Sequence, residues 1–375
     1  MRGKNNLKLF EFEAKKIFNE YKIPTPTSKL VNINDFEELN DVNYPVIIKS
    51  QILTGSRYKK GAIKIVEKKE EALDFINYLK ENTFSGEKVN KVLIEEVINI
   101  EQEHYISITF DANKACPVFL ISKEGGINIE EDKESVLTLP VNILTGIQSY
   151  HIQTIIDYLN VTENVKQYSE IIKNLYKIYR KYDAKLVEVN PLVITRDSDI
   201  IAVDGKMDIN ENSLYRQKFN IIEDRYSDNL EYRAAKANLN YVRLDGNIGV
   251  LCTGAGLTLS TIDLIGHYGG EAANFLEFGG ATYERASEAL EIVLGNPNVE
   301  VLVINTFGLV ARADVIAQGL GEAIESLDSD VPIVISIRGT GQNKAREILN
   351  KYGLDSEEDI ETAVQKAISM VQGGM

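Results

Sequence analysis

Four polar residues between positions 188 and 206 have the types and the spacing to hold a hard cation. Glu188 and Asn190 lie two apart on one apolar run, Leu186 to Ile194, and Asp204 and Lys206 lie two apart on another, Ile200 to Lys206. A hairpin turning about Asp197, within Arg196-Asp197-Ser198-Asp199, sets Asn190 opposite Asp204 and Glu188 opposite Lys206. Residues two apart on a strand share a face, and directly opposed Cβ atoms sit roughly 5 Å apart, so the four groups project together. Val187, Val189, Ile201 and Val203 are expected on the opposite, apolar face. One amide and one or two carboxylates make a partial oxygen set that suits Mg²⁺, which keeps waters and takes further oxygens from nucleotide phosphates. A half-exposed hairpin with a surface Glu–Lys pair would carry the same residues. Asn190-Pro191 and Asp204-Gly205 point toward function, since Pro and Gly inside strands mark bends.

A second set of residues suits polyphosphate. Lys49 closes the apolar strand 45–49, and the loop Thr54-Gly55-Ser56-Arg57-Tyr58-Lys59-Lys60-Gly61 follows. A strand-held lysine and a basic loop can act as point charge and lid, although a solvated loop would read the same way. Glu95, Glu96, Glu101 and Glu103 fall at or near the end of the apolar strand Val92 to Ile98. They could meet ribose hydroxyls, or simply be solvated.

These residues need elements to position them. Phe10, Ala14, Ile17, Phe18 and Tyr21 form one apolar helical stripe, which Pro24 and Pro26 are expected to stop. Strands are expected at 45–49, 62–66, 91–98, 104–110 and 117–122, a helix at 69–81, and two helices within 152–182. Sequential strands with helices on one side define an α+β unit. From Asn247 onward the pattern changes to four repeats of apolar strand, glycine-bearing turn and helix, with strands at 248–252, 274–278, 301–305 and 333–337. That alternation specifies an α/β, doubly wound parallel sheet with its ligands at the carboxyl ends of the strands. The polar stretch 224–237 reads as the linker, which gives domains 1–238 and 239–375.

The bulk numbers set limits. A chain of 375 residues with 44% hydrophobic residues supports two or three cored domains. Its net charge of −15 argues against nucleic acid or an anionic membrane as general partner. No apolar run reaches membrane-span length, and Met1 to Leu9 has no apolar signal core, so the cytoplasm is the expected compartment. Cys116 and Cys252, far apart in apolar runs, read as reduced buried thiols.

Several segments together resemble one family in collinear order over nearly the whole chain. They are Leu9 to Phe18 with Ile23-Pro24-Thr25-Pro26, Lys123 to Glu130, Val187-Glu188-Val189-Asn190-Pro191-Leu192, Val203-Asp204-Gly205-Lys206, Leu244 to Gly249, Gly254-Ala255-Gly256-Leu257 and Gly269 to Phe275. This pattern is similar to the beta subunits of ADP-forming succinate–CoA ligases. The resemblance implies an ATP-grasp domain followed by a flavodoxin-like CoA-ligase domain. It implies ATP and ADP as substrates, Mg²⁺ as cofactor and a place in the tricarboxylic acid cycle. It also implies a small carboxylic acid substrate, and a CoA-binding alpha subunit whose histidine carries the phosphoryl group. It assigns nucleotide contacts to Lys49, Ser56, Arg57, Tyr58, Glu95, Ile98 and Glu103, and Mg²⁺ ligation to Asn190 and Asp204. Contact with the phosphohistidine falls to Glu188, and the acid site to Thr253, Leu309, Val310 and Ala311. His104, His151 and His267 have no nucleophile context and read as structural.

The chain departs from that pattern in places. Gly55-Ser56-Arg57-Tyr58-Lys59 stands where the family reads Gly-Gly-Arg-Gly-Lys, and Thr253 where it has Asn. Gly308-Leu309-Val310-Ala311 replaces Gly-Gly-Ile-Val, and the Gly279-Gly280 turn is one glycine shorter. Succinate is the expected acid. The altered loops leave open a different acid, such as malate, or a non-catalytic regulatory subunit.

Overall fold

The computed structural model describes residues 6–35, 39, 41–125, 136–217, 219, 225–226, 228–278, 286–309, 311–327 and 329–373. Two compact units divide the chain, Met1–Asn220 and Ile221–Met375. Of the segments expected from sequence, Gly126 to Glu130, the turn Gly279-Gly280-Ala281-Thr282 and Val310 lie outside the described residues.

The first unit opens with β1 (Asn6–Lys8), α1 (Glu11–Glu20), β2 (Ser28–Asn32), β3 (Val46–Ser50), β4 (Ile63–Val66) and α2 (Lys69–Glu81). A small ribbon, β5 (Thr83–Phe84) with β6 (Glu87–Lys88), leads into β7 (Lys91–Glu96). Strands β2-β7-β3-β4 form an antiparallel sheet. Its core takes Ile48, Val92 and Ile94 from the sheet, and Ala72, Phe75, Ile76 and Leu79 from one face of α2. Next come β8 (Ile100–Asp111), β9 (Cys116–Ser122), β10 (Leu137–Pro140), α3 (Ser149–Leu159), α4 (Val165–Lys181), β11 (Ala184–Thr195), β12 (Ile200–Ala202) and β13 (Gly205–Asn210). The order β1-β13-β11-β8-β9-β10, with β12 added to β11, is antiparallel throughout. Helices α1, α3 and α4 bury Phe18, Ile155 and Tyr168 against it.

Helix α1 ends before the prolines can stop it. Lys22 turns left-handed at φ 58°, and Ile23 N–H reaches the Phe18 carbonyl at 2.9 Å, closing the helix by its own C-cap.

The second unit contains α5 (Asn229–Lys236), β14 (Asn240–Arg243), β15 (Ile248–Thr253), α6 (Ala255–His267), β16 (Ala272–Phe278), α7 (Ala286–Leu294), β17 (Val301–Gly308), α8 (Ala313–Glu325), β18 (Ile333–Gly339), α9 (Gln342–Lys351), β19 (Ser356–Glu357) and α10 (Ile360–Val371). Sheet order is β14-β16-β15-β17-β18-β19. Five strands are parallel, and β14 runs antiparallel on the edge. One face packs on α5, α7, α8 and α9, the other on α6 and α10, which is the doubly wound arrangement expected. Counting from β15, the parallel order is 2-1-3-4-5, the flavodoxin-like order.

Within the stretch 224–237, expected as the linker, Asn229–Lys236 forms helix α5. Asp228 caps α5 by accepting from Leu230 N–H at 2.7 Å, and Ala234 is buried in the second unit's core. Domains were expected at 1–238 and 239–375, and the compact units place this helix with the later residues.

Candidate functional site

The hairpin has the expected register. Glu188 opposes Lys206, Val189 opposes Gly205, and Leu192 opposes Ala202. Between these pairs Asn190 N–H donates to the Asp204 carbonyl at 3.3 Å, and Val203 N–H to that of Pro191 at 3.1 Å. What differs is the face each strand presents beyond this point. Val187, Val189, Met207 and Ile209 point into the core on one side of the break, but Leu192, Ile200 and Ala202 do so on the other. Ile201 and Val203, expected on the apolar face, are therefore only half-buried. The cause is a shift in the β11–β8 register between Val189 and Leu192, which gives β11 an extra residue. Gly205 must lack a side chain here, since a Cβ would overlap the ring of Phe18.

The Asp204 side chain is 33% exposed. It accepts from Arg57 Nη2 at 3.1 and 3.3 Å and from Gly205 N–H at 2.7 Å. Among the described residues no group of three His, Cys, Asp or Glu side chains is arranged for a metal ion. A part-exposed carboxylate paired across the strands with an amide residue does fit a hard cation whose remaining ligands are waters and phosphate oxygens. Half-buried Glu188 accepts from the Tyr105 hydroxyl at 3.2 Å. Burial pushes its carboxyl above the usual range, against the pull of Lys206.

Lys49 and Glu95 are drawn into a buried charge cluster that reaches further than the sequence suggested. Lys49 Nζ donates to Glu11 Oε1 at 2.9 Å and to the Val203 carbonyl at 2.8 Å, and pairs with Glu95 Oε2 at 2.8 Å. Lys15 Nζ meets Glu95 Oε2 at 2.7 Å and Glu11 Oε1 at 2.7 Å. Arg57 donates to Glu11 Oε2 at 2.6 Å, to the Ser50 carbonyl at 2.9 Å, and to Asp204. Three cations and three carboxylates thus balance across α1, β3, β7, the basic loop and the hairpin break. Burial opposes the charge on Lys49, yet Glu11, Glu95 and Asp204 hold its ammonium above the ordinary lysine range. Burial likewise works against Glu11, and Lys15, Lys49 and Arg57 together bring its carboxyl well below the carboxylate range.

The other expected nucleotide residues are spread over the basic loop, the end of β7 and β8. Ser56 adopts the left-handed φ of 56°, which favours glycine, and Tyr58 is exposed. The loop is tied down at Lys60, which donates to the Thr54 and Ser85 hydroxyls, each at 2.8 Å. Ile98 is half-buried between β7 and β8. The four glutamates separate. Glu95 is buried, Glu96 accepts from Thr27 N–H at 2.7 Å, and Glu101 and Glu103 belong to β8 rather than to the end of β7. Glu103 opposes Val193, and a Cβ on Gly125 would lie 3.0 Å from the Cβ atoms of both Glu103 and Pro191.

Sequence reasoning missed Glu11 and Lys15. Their one signal is an i, i+4 acid–base pair beside the apolar stripe of α1, ordinarily a solvated feature.

In the second unit, Thr253 and the turn after Phe307 come together. Strands β15 and β17 flank the point where the strand order reverses, which is where ligands bind in such sheets. Thr253 Oγ1 accepts from Phe307 N–H at 3.0 Å. Gly308 is held by Thr340, whose N–H donates to its carbonyl at 2.8 Å, and Thr340 accepts in turn from Ala313 N–H at 2.9 Å. Leu309 is 75% exposed, whereas Ala311 packs against the core.

The histidines offer no nucleophile. His104 is buried with Nδ1 2.9 Å from the Tyr168 hydroxyl, and burial lowers its pKa to about 4. His151 is buried between Gln148 N–H at 2.9 Å and the Pro140 carbonyl at 3.2 Å, and His267 sits exposed in the last turn of α6. Cys252 is buried and Cys116 partly so, and both are free thiols. No helix among the described residues is long and apolar enough to cross a membrane.

A unit of two antiparallel sheets and a small ribbon with a buried cluster of balanced charges, followed along the chain by a flavodoxin-like unit, is the architecture of an ATP-grasp domain followed by a CoA-ligase domain. Family models described as ATP-grasp domain and CoA-ligase match residues 8–194 and 251–370. The chain is 41% identical to the ADP-forming sulfoacetate–CoA ligase subunit SqwK of an Acholeplasma species, over 98% of this chain and 92% of that one. It is 39% identical to subunit SauC of the corresponding ligase of Bilophila wadsworthia, over 98% and 100%. Identity to the beta subunit of the ADP-forming succinate–CoA ligase of Halorubrum lacusprofundi is 36%, over 96% and 98%. An ATP citrate lyase from Methanothrix soehngenii, solved with citrate and coenzyme A, shares the fold at a TM-score of 0.80 and 20% identity, over 97% of this chain and 100% of that one. The chain belongs to the family of ADP-forming acid–CoA ligase beta subunits, which includes those of succinate–CoA ligase. Membership implies ATP and ADP as substrates and an alpha subunit as partner.

Proposed function

We propose that this chain is the nucleotide half of an ADP-forming ligase whose acid is sulfoacetate. The reaction is sulfoacetate + CoA + ATP giving sulfoacetyl-CoA, ADP and phosphate, through a phosphohistidine on the alpha subunit. The observation that carries the choice of acid is the Thr253–Phe307 contact at the switch point. Thr253 stands where the family pattern has an amide. Its oxygen is engaged by a backbone N–H, which leaves its proton to donate outward. Leu309 adds apolar bulk where the pattern has glycine. A hydroxyl donor beside this turn suits the three acceptor oxygens of a tetrahedral sulfonate, on an acid whose backbone is one atom shorter than that of succinate. The 41% and 39% identities to sulfoacetate–CoA ligase subunits support the same acid. Val310 and Ala311 complete the proposed acid turn.

On the nucleotide side, Lys49 and Arg57 neutralise the phosphates, and the loop at Ser56 and Tyr58 covers them. Ile98 and Glu103 receive the base and ribose, and buried Glu95 serves the nucleotide through Lys49, pairing with its ammonium at 2.8 Å. Asn190 and Asp204 would hold Mg²⁺, which when bound offsets phosphate charge and favours in-line geometry. Glu188 orients the partner's phosphohistidine, its carboxylate held by the Tyr105 hydroxyl. The cytoplasm, where ATP and CoA are supplied, is the proposed location.

Succinate is the second reading, favoured by the 36–37% identities to ADP-forming succinate–CoA ligase beta subunits over nearly the full length. Co-expression with the neighbouring alpha subunit and assay of thioester formation over sulfoacetate, succinate and malate separates them. Sulfoacetate is expected to give the highest kcat/KM. Preference for succinate or malate contradicts the assignment of the acid, and no thioester from any acid favours a regulatory subunit.

A further inference from the structure

The Glu11 carboxylate sits between the two cations assigned above to the nucleotide phosphates. One of its oxygens, Oε1, lies 2.9 Å from Lys49 Nζ, and the other, Oε2, lies 2.6 Å from Arg57 Nη2. Lys15, one helical turn along α1, meets Oε1 at 2.7 Å. The carboxylate and both lysines are buried, with side-chain exposure of 1% at Glu11 and 3% at Lys15 and Lys49, and Arg57 is 10% exposed. A carboxylate bridging an ammonium and a guanidinium through separate oxygens fixes the distance between them. Arg57 comes from the basic loop and Lys49 from strand β3, so the same carboxylate also ties the loop to the sheet.

We propose that Glu11 is a positioning residue for the nucleotide site: it holds Lys49 and Arg57 at a fixed separation and seats the basic loop before the phosphates arrive, with Lys15 bracing the same carboxylate. The proposal rests on the reading of Lys49 and Arg57 as phosphate-binding residues. The chemistry is preorganisation. Two long, flexible cations that are already placed lose less freedom when a polyphosphate binds, so the effect appears in nucleotide affinity. A glutamine at this position can accept from only one of the two cations and turns its amide N–H group toward the other.

The test uses the intact complex with the alpha subunit and follows ATP-dependent phosphorylation of that subunit. Glu11→Gln is expected to raise the KM for ATP at least about tenfold while kcat at saturating ATP stays within about twofold. Loss of a purely structural contact would lower kcat and the melting temperature without that split. A KM for ATP within about twofold of wild type overturns the proposal. If Glu11→Gln does not fold, Glu11→Asp, which keeps the charge but is too short to reach both cations, is read against the same limits. Arg57→Ala supplies a second arm. Because Glu11 acts partly through Arg57, its KM penalty is expected to shrink at least about threefold in the Arg57→Ala background, and an undiminished penalty overturns the proposal. If Lys49→Ala and Arg57→Ala both leave the KM for ATP unchanged, the nucleotide assignment itself fails. If they raise it and Glu11→Gln does not, only the role of Glu11 fails.

Discussion

Asn190 and Asp204 face each other where both strands of their hairpin change the side they present to the core. The Asn190 N–H donates to the Asp204 carbonyl at 3.3 Å across this break. On one side Val187, Val189 and Met207 point inward, and on the other Leu192, Ile200 and Ala202 do. A regular ladder would carry its side chains on past the core in strict alternation. The break instead leaves the Asp204 side chain one-third exposed and beside Arg57, so a carboxylate next to the core can meet a ligand.

Gly205 lies in that break and has no room for a side chain. A side chain there collides with Phe18, which lies fully buried in the core. Gly205→Ala is expected to destabilise the protein by about 1–3 kcal/mol in chemical denaturation, the usual range for overpacking a tight core. A change under about 0.5 kcal/mol would show that α1 can move aside.

Much of this hairpin was legible in the sequence, and the part that was not has a physical reason. Alternation of polar and apolar residues and one turn fix the register, so Glu188 opposite Lys206 followed directly. The change of face did not, because an extra residue on β11 is set by pairing with β8, and no local pattern encodes it. Pro191 and Gly205 were its only signs. The doubly wound sheet was readable from four strand–turn–helix repeats, while β14 and β19 are too short to show a period. Glu11 and Lys15 escaped because periodicity sorts charged residues to the surface, and only tertiary pairing with Lys49, Glu95 and Arg57 lets them be buried.

Thr253 sets the choice of acid if its hydroxyl donates to the substrate. Thr253→Asn restores the amide of the family pattern and is expected to shift the ratio of kcat/KM for sulfoacetate over succinate toward succinate by about tenfold or more, as for loss of a hydrogen bond matched to one substrate. An unchanged ratio places the selectivity elsewhere in the turn.

The depressed pKa of His104 makes stability depend on pH over a defined window. The unfolded chain takes up this proton near 6.5, and the folded chain only near 4. The unfolded state therefore binds more protons between these values, and stability is lost as pH falls from 6.5 toward 4. The loss from this one group is at most about 3 kcal/mol. His104→Gln is expected to reduce the difference in denaturation free energy between pH 7 and pH 4.5. An identical difference in the variant would mean that His104 titrates normally.

The role proposed for the hairpin break at Asn190 and Asp204 is phosphoryl transfer to a partner subunit. The most direct measurement is transfer of the γ-phosphate of labelled ATP to the alpha subunit in the co-purified complex, comparing wild type with Asp204→Asn. The asparagine keeps the shape and the Gly205 contact through its oxygen but loses the charge. Label on the alpha subunit is expected with wild type, and a loss in rate of at least on the order of a hundredfold with the variant. Equal labelling by both proteins would contradict that role.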